Sequence, residues 1–469
     1  MIAAPKSGSG KTVVTCALLQ ALKDSGRRVV SFKCGPDYID PMFHEKVIGV
    51  PSKNLDTFFT DEEQTRKLFL KDRTENDFAV LEGVMGLYDG LGGVRKEGSS
   101  YHLACVTKTP IVFVADVKGM GRSIIPLLAG FIKFDAEHLI RGVILNRISK
   151  GYYETIKPLI EKELGIFAAG YLPEKEEYHV GSRHLGLVMP DELTDIKGKL
   201  RAASAEFRKT VSLEKLVEIG ESAQRIETCT GRDIRKETEE KTTDIRQQTT
   251  GFTNRSDDKV TIAVAKDEAF CFYYEDNITL LKENGAEIKY FSPLRDEGLP
   301  DDCHALLLGG GYPELYARKL SENKKMRNAV RKASADGMPI VAECGGFLYL
   351  HSKMTDREGN SYDMAGVILA DCHDQGRSVR FGYIELREKH GFFLPQNTSI
   401  KGHEFHYYDS TENGEDAAAL KPVTGNTYPC MIIDETHWMG FPHLYYPSNP
   451  VFAKSFVEKA RRYKEGDEG

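Results

Sequence analysis

The 469-residue chain has no long apolar run. A helix that crosses a bilayer needs about 20 consecutive apolar residues. The apolar stretch Ile111–Ala115 is closed off by Pro110 and Asp116, so it reads as a buried strand. The opening residues also lack the apolar core of a signal peptide, and we expect a cytoplasmic protein with no membrane partner. There is no excess of basic charge either. The formal net charge is -7, whereas a nucleic-acid-binding surface ordinarily leaves a basic footprint, so nucleic acid is not an expected partner. The nine cysteines are scattered, without a Cys-x-x-Cys pair or a Cys/His cluster at zinc spacing. Their odd number argues against a disulfide scaffold, and each has to be judged by its surroundings.

What remains is a globular composition, 41% hydrophobic and 28% charged. The length is too great for one ordinary core and implies two domains with a linker. From residue 1 to 195, short runs rich in Val, Ile and Phe alternate with helical patterns. Val29–Lys33, Phe78–Leu81, Ile111–Ala115 and Gly142–Asn146 are such runs. The alternation predicts an α/β domain with a parallel sheet covered on both faces. Residues 196–258 read as a helix, Ser212–Ala223, and then a polar linker dominated by Thr, Glu, Lys, Arg, Gln and Asp. A second α/β domain follows over 259–465. Its expected strands are Val260–Ala265, Glu287–Phe291, Ala305–Leu308 and Pro339–Ala342, and Asn449–Tyr463 is an amphipathic helix.

Ala4–Thr12 (APKSGSGKT) lies between a short strand and a helical pattern. Gly8 and Gly10 let the backbone turn its N–H groups toward phosphate oxygens. Lys11 can neutralise the terminal phosphates, and the Thr12 hydroxyl can hold Mg²⁺. Pro5 stands where the usual phosphate loop has glycine, and it offers no N–H. Glu82 ends the run Phe78–Glu82, where a Mg²⁺-binding acid is expected at the carboxyl end of a parallel strand. The glycine-rich loop after it carries Asp89. Lys33 ends another run and introduces Cys34–Pro41, in which Pro36 and Pro41 bracket Asp37 and Asp40.

In the second half, Cys344 sits between a predicted strand and a helix, followed by Gly345 and Gly346. This is the setting of a nucleophile on a sharp turn, where the helix N-terminus favours the thiolate. Upstream, Leu306–Glu314 contains Gly309, Gly310 and Gly311, whose N–H groups are candidates for an oxyanion hole. His443 is the expected general base, with His403 and His406 as competitors.

Taken together, Ala4–Thr12, Phe32–Pro41, Leu81–Gly90, Gly142–Arg147, Ser182–Val188, Gly309–Glu314, Glu343–Leu350, Gly402–Tyr407 and Phe441–His443 resemble the cobyrinate a,c-diamide synthases. The resemblance covers nearly the whole chain except the linker. It implies two doubly wound domains: an N-terminal P-loop domain similar to dethiobiotin synthetase, and a C-terminal glutamine amidotransferase domain of the triad-related class I kind. It also implies ATP- and glutamine-dependent amidation of the a and c acetate carboxylates of cobyrinate, a tetrapyrrole, through acyl phosphates. ATP would be the co-substrate, Mg²⁺ the cofactor and L-glutamine the nitrogen donor, and a homodimer is left open.

By position, Lys11, Thr12 and Lys33 resemble the phosphate and Mg²⁺ group. Glu82 matches a metal-binding acid and Asp37 a second. Asp37, Tyr38, Asp40, Glu82 and Asp89 fall in motifs associated with substrate activation. Asn146 resembles the asparagine that reads the adenine edge. Arg95, Arg183 and His184 are cationic candidates for an acidic ring. Cobyric acid synthase is related, but Gly35–Pro41 fits the a,c enzymes better. The same chemistry on nickel-sirohydrochlorin or hydrogenobyrinate is the alternative; a partition-type ATPase switch would have no reason to carry the Cys344 domain. One departure stands out. Triad amidotransferases carry Glu two residues after the histidine, and here that residue is Tyr445.

Overall fold

The computed structural model describes residues 1–71, 74, 77–175, 177, 192–226 and 259–466. The expected polar linker and the segment with Arg183 and His184 lie outside the described residues. The chain divides into two compact units, one before and one after that linker.

The first unit is built on a seven-stranded sheet. Its strands are β1 (Ile2–Ala3), β2 (Arg28–Cys34), β3 (Ser52–Leu55), β4 (Asp77–Glu82), β5 (Ile111–Asp116), β6 (Ile140–Asn146) and β7 (Phe167–Leu172), in the spatial order β3-β2-β4-β1-β5-β6-β7. Every pairing is parallel. Side chains alternate between two buried layers: Leu81, Phe113, Val143 and Leu145 in one, and Val80, Val112, Val114 and Ile144 in the other. Burial on both faces is what gives parallel strands their near-continuous apolar runs. The central β1 is only two residues long, yet Ile2 pairs with Glu82 on one side and Val112 on the other. The loop that follows β1 therefore opens beside the carboxyl end of β4, where Glu82 is also paired in register with Lys33 of β2.

The first domain does not stop at 195. Helices Glu192–Thr210 and Leu213–Glu221 belong to it. Ile196, Leu200, Ala203 and Phe207, at helical spacing, are buried with Val114 and Ile144 in the second layer. Ile219 reaches so close that a Cβ on Gly142 would stand 2.8 Å from its Cδ1. The amphipathic spacing overrides the polar drift of composition in this stretch.

The second unit has a six-stranded sheet, in the order Ala286–Phe291, Val260–Ala265, Ala305–Leu308, Ile340–Glu343, His437–Gly440 and Ile432–Ile433. All pairs are parallel except the last. The expected strands and the C-terminal helix, here Val451–Glu465, are present. Two further sheets, which the apolar runs do not announce, occupy residues 351–444. One orders Thr427–Cys430, Ala417–Leu420, Arg380–Glu388, Ile400–His406 and His443–Leu444 in antiparallel pairs. The other holds Ser361–Asp363, His351–Thr355, Ile368–Asp374 and Tyr408–Ser410. Among the described residues no helix is long and apolar enough to cross a membrane.

The only tryptophan in the chain, Trp438, is fully buried in this unit, with its ring 4.9 Å from that of Phe452 and 5.6 Å from that of Phe393. Its fluorescence therefore reports unfolding of the second unit. We expect Phe452→Ala to cost about 3–5 kcal/mol, seen as a lower urea midpoint in Trp438 emission with the folded spectrum retained.

Candidate active sites

The phosphate loop is shaped by two left-handed glycines, Gly8 at φ 75° and Gly10 at φ 96°, the second capping helix α1 (Lys11–Asp24). Gly10 also has no room for a side chain: a Cβ would stand 2.2 Å from Asn146 Nδ2. Asn146, at the end of β6, donates that amide to Ser9 O at 3.0 Å, so its carboxamide holds the back of the loop. Lys11 Nζ donates to Met85 O at 2.6 Å and Lys6 O at 3.4 Å. Burial, and then the charge of Lys33, push its pKa down to about 8. Met85 itself is held at φ 49°, in a region costly for a non-glycine residue.

Beside the loop, five sequence-predicted residues converge. Thr12 Oγ1 donates to Glu82 Oε1 at 2.8 Å, and Lys33 Nζ lies 3.0 Å from the same oxygen. Lys33 also bonds Asp40 and stands 3.7 Å from Asp37. Burial alone would lower the Lys33 pKa, but Glu82, Asp40 and Asp37 outweigh it and hold the ammonium well above the usual lysine range. Glu82 is fully buried; Lys33 and His44 overcome that burial and keep its carboxyl ionised. Asp40 is driven upward by its own burial and by facing Glu82. Asp37 Oδ1 accepts the Ile39 N–H at 2.8 Å, which shapes the turn. Tyr38 is buried at the head of the short helix Ile39–Phe43. Asp89 accepts the Gly86 N–H at 2.9 Å, which ties the loop after β4 together. Arg95 is exposed.

Two residues of this site carry no sequence signal. His44, fully buried on a π-helical turn, places Nε2 3.2 Å from Glu82 Oε2 and Nδ1 2.9 Å from Ser31 Oγ. Asn54 donates to Gly35 O and Asp37 O, at 2.9 and 2.7 Å, fixing the loop that carries the aspartates.

In the second unit, Cys344 occupies the turn between strand Ile340–Glu343 and helix Gly345–Leu350 with φ 47° and ψ -99°, the strained geometry of a nucleophile elbow. The elbow depends on glycine for space. A Cβ on Gly346 would stand 2.0 Å from Leu308 O, and one on Gly345 2.9 Å from Pro313 Cδ. Cys344 N–H donates to Gly440 O at 2.8 Å and Gly346 N–H to Gly309 O at 2.9 Å. Cys344 retains 8% exposure. Burial, and then Glu314, raise its thiol pKa, so the resting group is the thiol; the expected helix-terminus effect is outweighed by desolvation.

His443 comes against the glycine run: a Cβ on Gly310 would stand 2.3 Å from its Cε1. Gly311 N lies 3.1 Å from the Cβ position of Gly345, the residue after Cys344. The competitors take different surroundings. His406 stacks on Phe441 with ring centroids 3.9 Å apart, and its Nδ1 is 2.6 Å from Tyr408 O. His403 lies flat against His443 itself.

Two family models match the chain: the CobQ/CobB/MinD/ParA nucleotide binding domain over residues 1–187, and the CobB/CobQ-like glutamine amidotransferase domain over residues 261–434. Curated relatives named cobyrinate a,c-diamide synthase run along most of its length. The protein of Listeria innocua is 39% identical over 88% of both chains. That of Priestia megaterium is 34% identical over 99% of this chain and 97% of its own. That of Picrophilus torridus is 36% identical over 97% of each. The chain belongs to the cobyrinate a,c-diamide synthase family. Within the family's two-domain plan, the phosphate loop falls in the nucleotide-binding match, and Cys344 with its glycines in the amidotransferase match.

His443 also carries a stability signature. Burial, and then the charge of His406, lower its pKa to about 3. An unfolded histidine titrates near 6.5, so between pH 6.5 and 3 the unfolded chain takes up a proton that the folded one refuses, and stability falls as pH falls. From pH 7 to 5 this group accounts for a loss of about 2 kcal/mol. We expect His443→Phe to remove that share of the pH dependence in urea unfolding followed at Trp438. An unchanged dependence would show that the histidine is not held neutral.

Proposed function

We propose that the chain is an ATP- and glutamine-dependent ligase that amidates the a and c acetate carboxylates of cobyrinate in cobalamin biosynthesis, working in the cytoplasm where ATP and glutamine are supplied. The observation that carries this reading is the presence, in one chain, of a phosphate loop beside the Lys33–Glu82 pair and of an elbow cysteine and a histidine that both border the run Gly309–Gly311. The names of the relatives supply the ring.

In the synthetase half, the loop after β1 receives the triphosphate. Lys11 and Lys33 stabilise charge on the transferring phosphoryl group while a substrate carboxylate attacks the γ-phosphorus and ADP leaves. Ammonia then attacks the acyl phosphate carbon, and phosphate departs. Asp37, Tyr38, Asp40 and Asp89 border the site of activation, and Asn146 is assigned to the nucleotide. The donors near the loop are hard oxygens, which suits Mg²⁺. Among the described residues no group of three His, Cys, Asp or Glu side chains could hold a metal by itself. Thr12, Glu82 and Asp37 are the residues that would hold the ion, one hydroxyl and two carboxylates together with phosphate oxygens. When bound, Mg²⁺ would neutralise phosphate charge.

In the glutaminase half, His443 takes the Cys344 proton as sulfur attacks the glutamine amide carbon. Gly310 and Gly311 offer N–H groups to the developing oxyanion. His443 returns the proton to the leaving ammonia, and water hydrolyses the thioester to glutamate.

Cys344→Ala should lower glutamine-supported amidation at least about 10³-fold while ammonium at alkaline pH still supports it. Equal loss with both nitrogen donors would overturn the division of labour. Lys11→Ala should abolish amidation with either donor and leave glutamine hydrolysis in place. ATP turnover at the wild-type rate would refute the phosphate-loop assignment.

A further inference from the structure

Position 445, where triad amidotransferases carry Glu, points elsewhere in this chain. Tyr445 donates its hydroxyl to Asp276 Oδ2 at 2.8 Å. The backbone around it is clamped by Asn277, whose Nδ2 donates to Leu444 O and whose Oδ1 accepts from Tyr446 N–H, each at 2.8 Å. These bonds fix the strand that carries His443 but leave the rotation of its ring to other groups.

The ring plane has a neighbour of its own. His403 and His443 are direct partners across antiparallel strands. Their imidazoles are stacked, with centroids 4.9 Å apart and planes 14° from parallel. His403 is steered in turn by Tyr274, whose hydroxyl is 3.2 Å from His403 Nδ1. Tyr274 stands edge-on to Tyr445, with centroids 5.2 Å apart. The chain of contacts runs from Asp276 through Tyr445, Tyr274 and His403 to His443. All of these residues are buried.

We propose that His403 is a positioning residue for glutamine hydrolysis: its imidazole plane, oriented by Tyr274, sets the plane of the His443 ring in place of the missing carboxylate. Stacking restrains a ring without using either of its nitrogens. It therefore suits a base that must take a proton from sulfur and return it to nitrogen. It also requires a neutral partner, because a second cation would oppose the imidazolium formed at His443. Burial, the His443 ring and Lys421 all hold His403 toward the neutral form.

The inference rests on the glutaminase reading and is tested on the full chain by measuring kcat and KM for glutamine hydrolysis. His403→Ala removes the plane and should lower kcat roughly 10- to 100-fold, the penalty of a misplaced group, with KM changed by less than about 3-fold. His403→Phe restores the plane without a titrating nitrogen and should return kcat to within about 5-fold of wild type, which a His403 acting as the base itself could not do. Trp438 emission on urea titration checks that each variant is folded. A His403→Ala rate equal to wild type, or a folded His403→Phe as slow as His403→Ala, overturns the proposal. If the alanine variant does not fold, the phenylalanine variant decides alone: near-wild-type kcat supports the stacking role, and inactivity with intact folding refutes it. Cys344→Ser separates the two levels, since hydrolysis surviving in that variant would bring down the glutaminase reading itself.

Discussion

An ammonium taken out of water is the constraint on which the first unit turns. Removing Lys33 from solvent costs several kcal/mol, which is tolerable only where carboxylates surround it. Glu82 and Asp40 do so at bonding distance and Asp37 slightly farther off. The pairing joins the ends of β2 and β4, and through the Thr12 hydroxyl it reaches the first turn of α1. One charge cluster thus anchors three pieces of chain around the place where phosphate would arrive. The same cluster makes the site a hazard to the fold: deleting one partner of a buried ion pair leaves an uncompensated charge, at about 3–5 kcal/mol.

The second unit shows the opposite arrangement, in which the two groups proposed to react are held uncharged. Cys344 and His443 are both buried, which disfavours thiolate and imidazolium alike. In the proposed reaction the proton moves only when substrate brings the reacting atoms together. Geometry takes over the task that charge performs elsewhere. Backbone strain at Cys344, of order 1–3 kcal/mol for such a conformation, is held by the bonds to Gly440 and by the glycine that admits Leu308. The glycines at 310 and 346 are there for space, not for a special φ, since each sits against another atom where a side chain would be.

Much of this was legible in the chain. Most inner strands of the two main sheets stand out as apolar runs because both of their faces are covered. Ser52–Leu55 and His437–Gly440, which belong to the same sheets, do not. The loop glycines, Lys11, Thr12, Lys33, Glu82 and the Cys344 elbow follow from chemistry that tolerates few other residue types. What was hidden depends on depth and register. His44 reaches Glu82 only because β2 and β4 pair as they do and the π-helical turn faces inward. Asn277 and Asp276 look like an ordinary helix start until folding brings residues 444–446 beside them. The half-exposed antiparallel strands, such as Arg380–Glu388, alternate apolar with charged residues and so lack the dense signature of buried ones. The burial that raises the Cys344 thiol is hidden in the same way: sequence shows a helix terminus but not how much solvent is lost.

The two helices that close the first unit give its boundary a practical meaning. Ile219 fills the notch left by Gly142, and Ile196, Leu200 and Phe207 cover the sheet face that holds Val114 and Ile144. A nucleotide-binding fragment trimmed at residue 195 would bare that face to water, and stickiness between molecules, rather than a clean isolated ATPase, is what such a fragment would deliver. Cutting instead beyond residue 226 keeps the lid on the sheet.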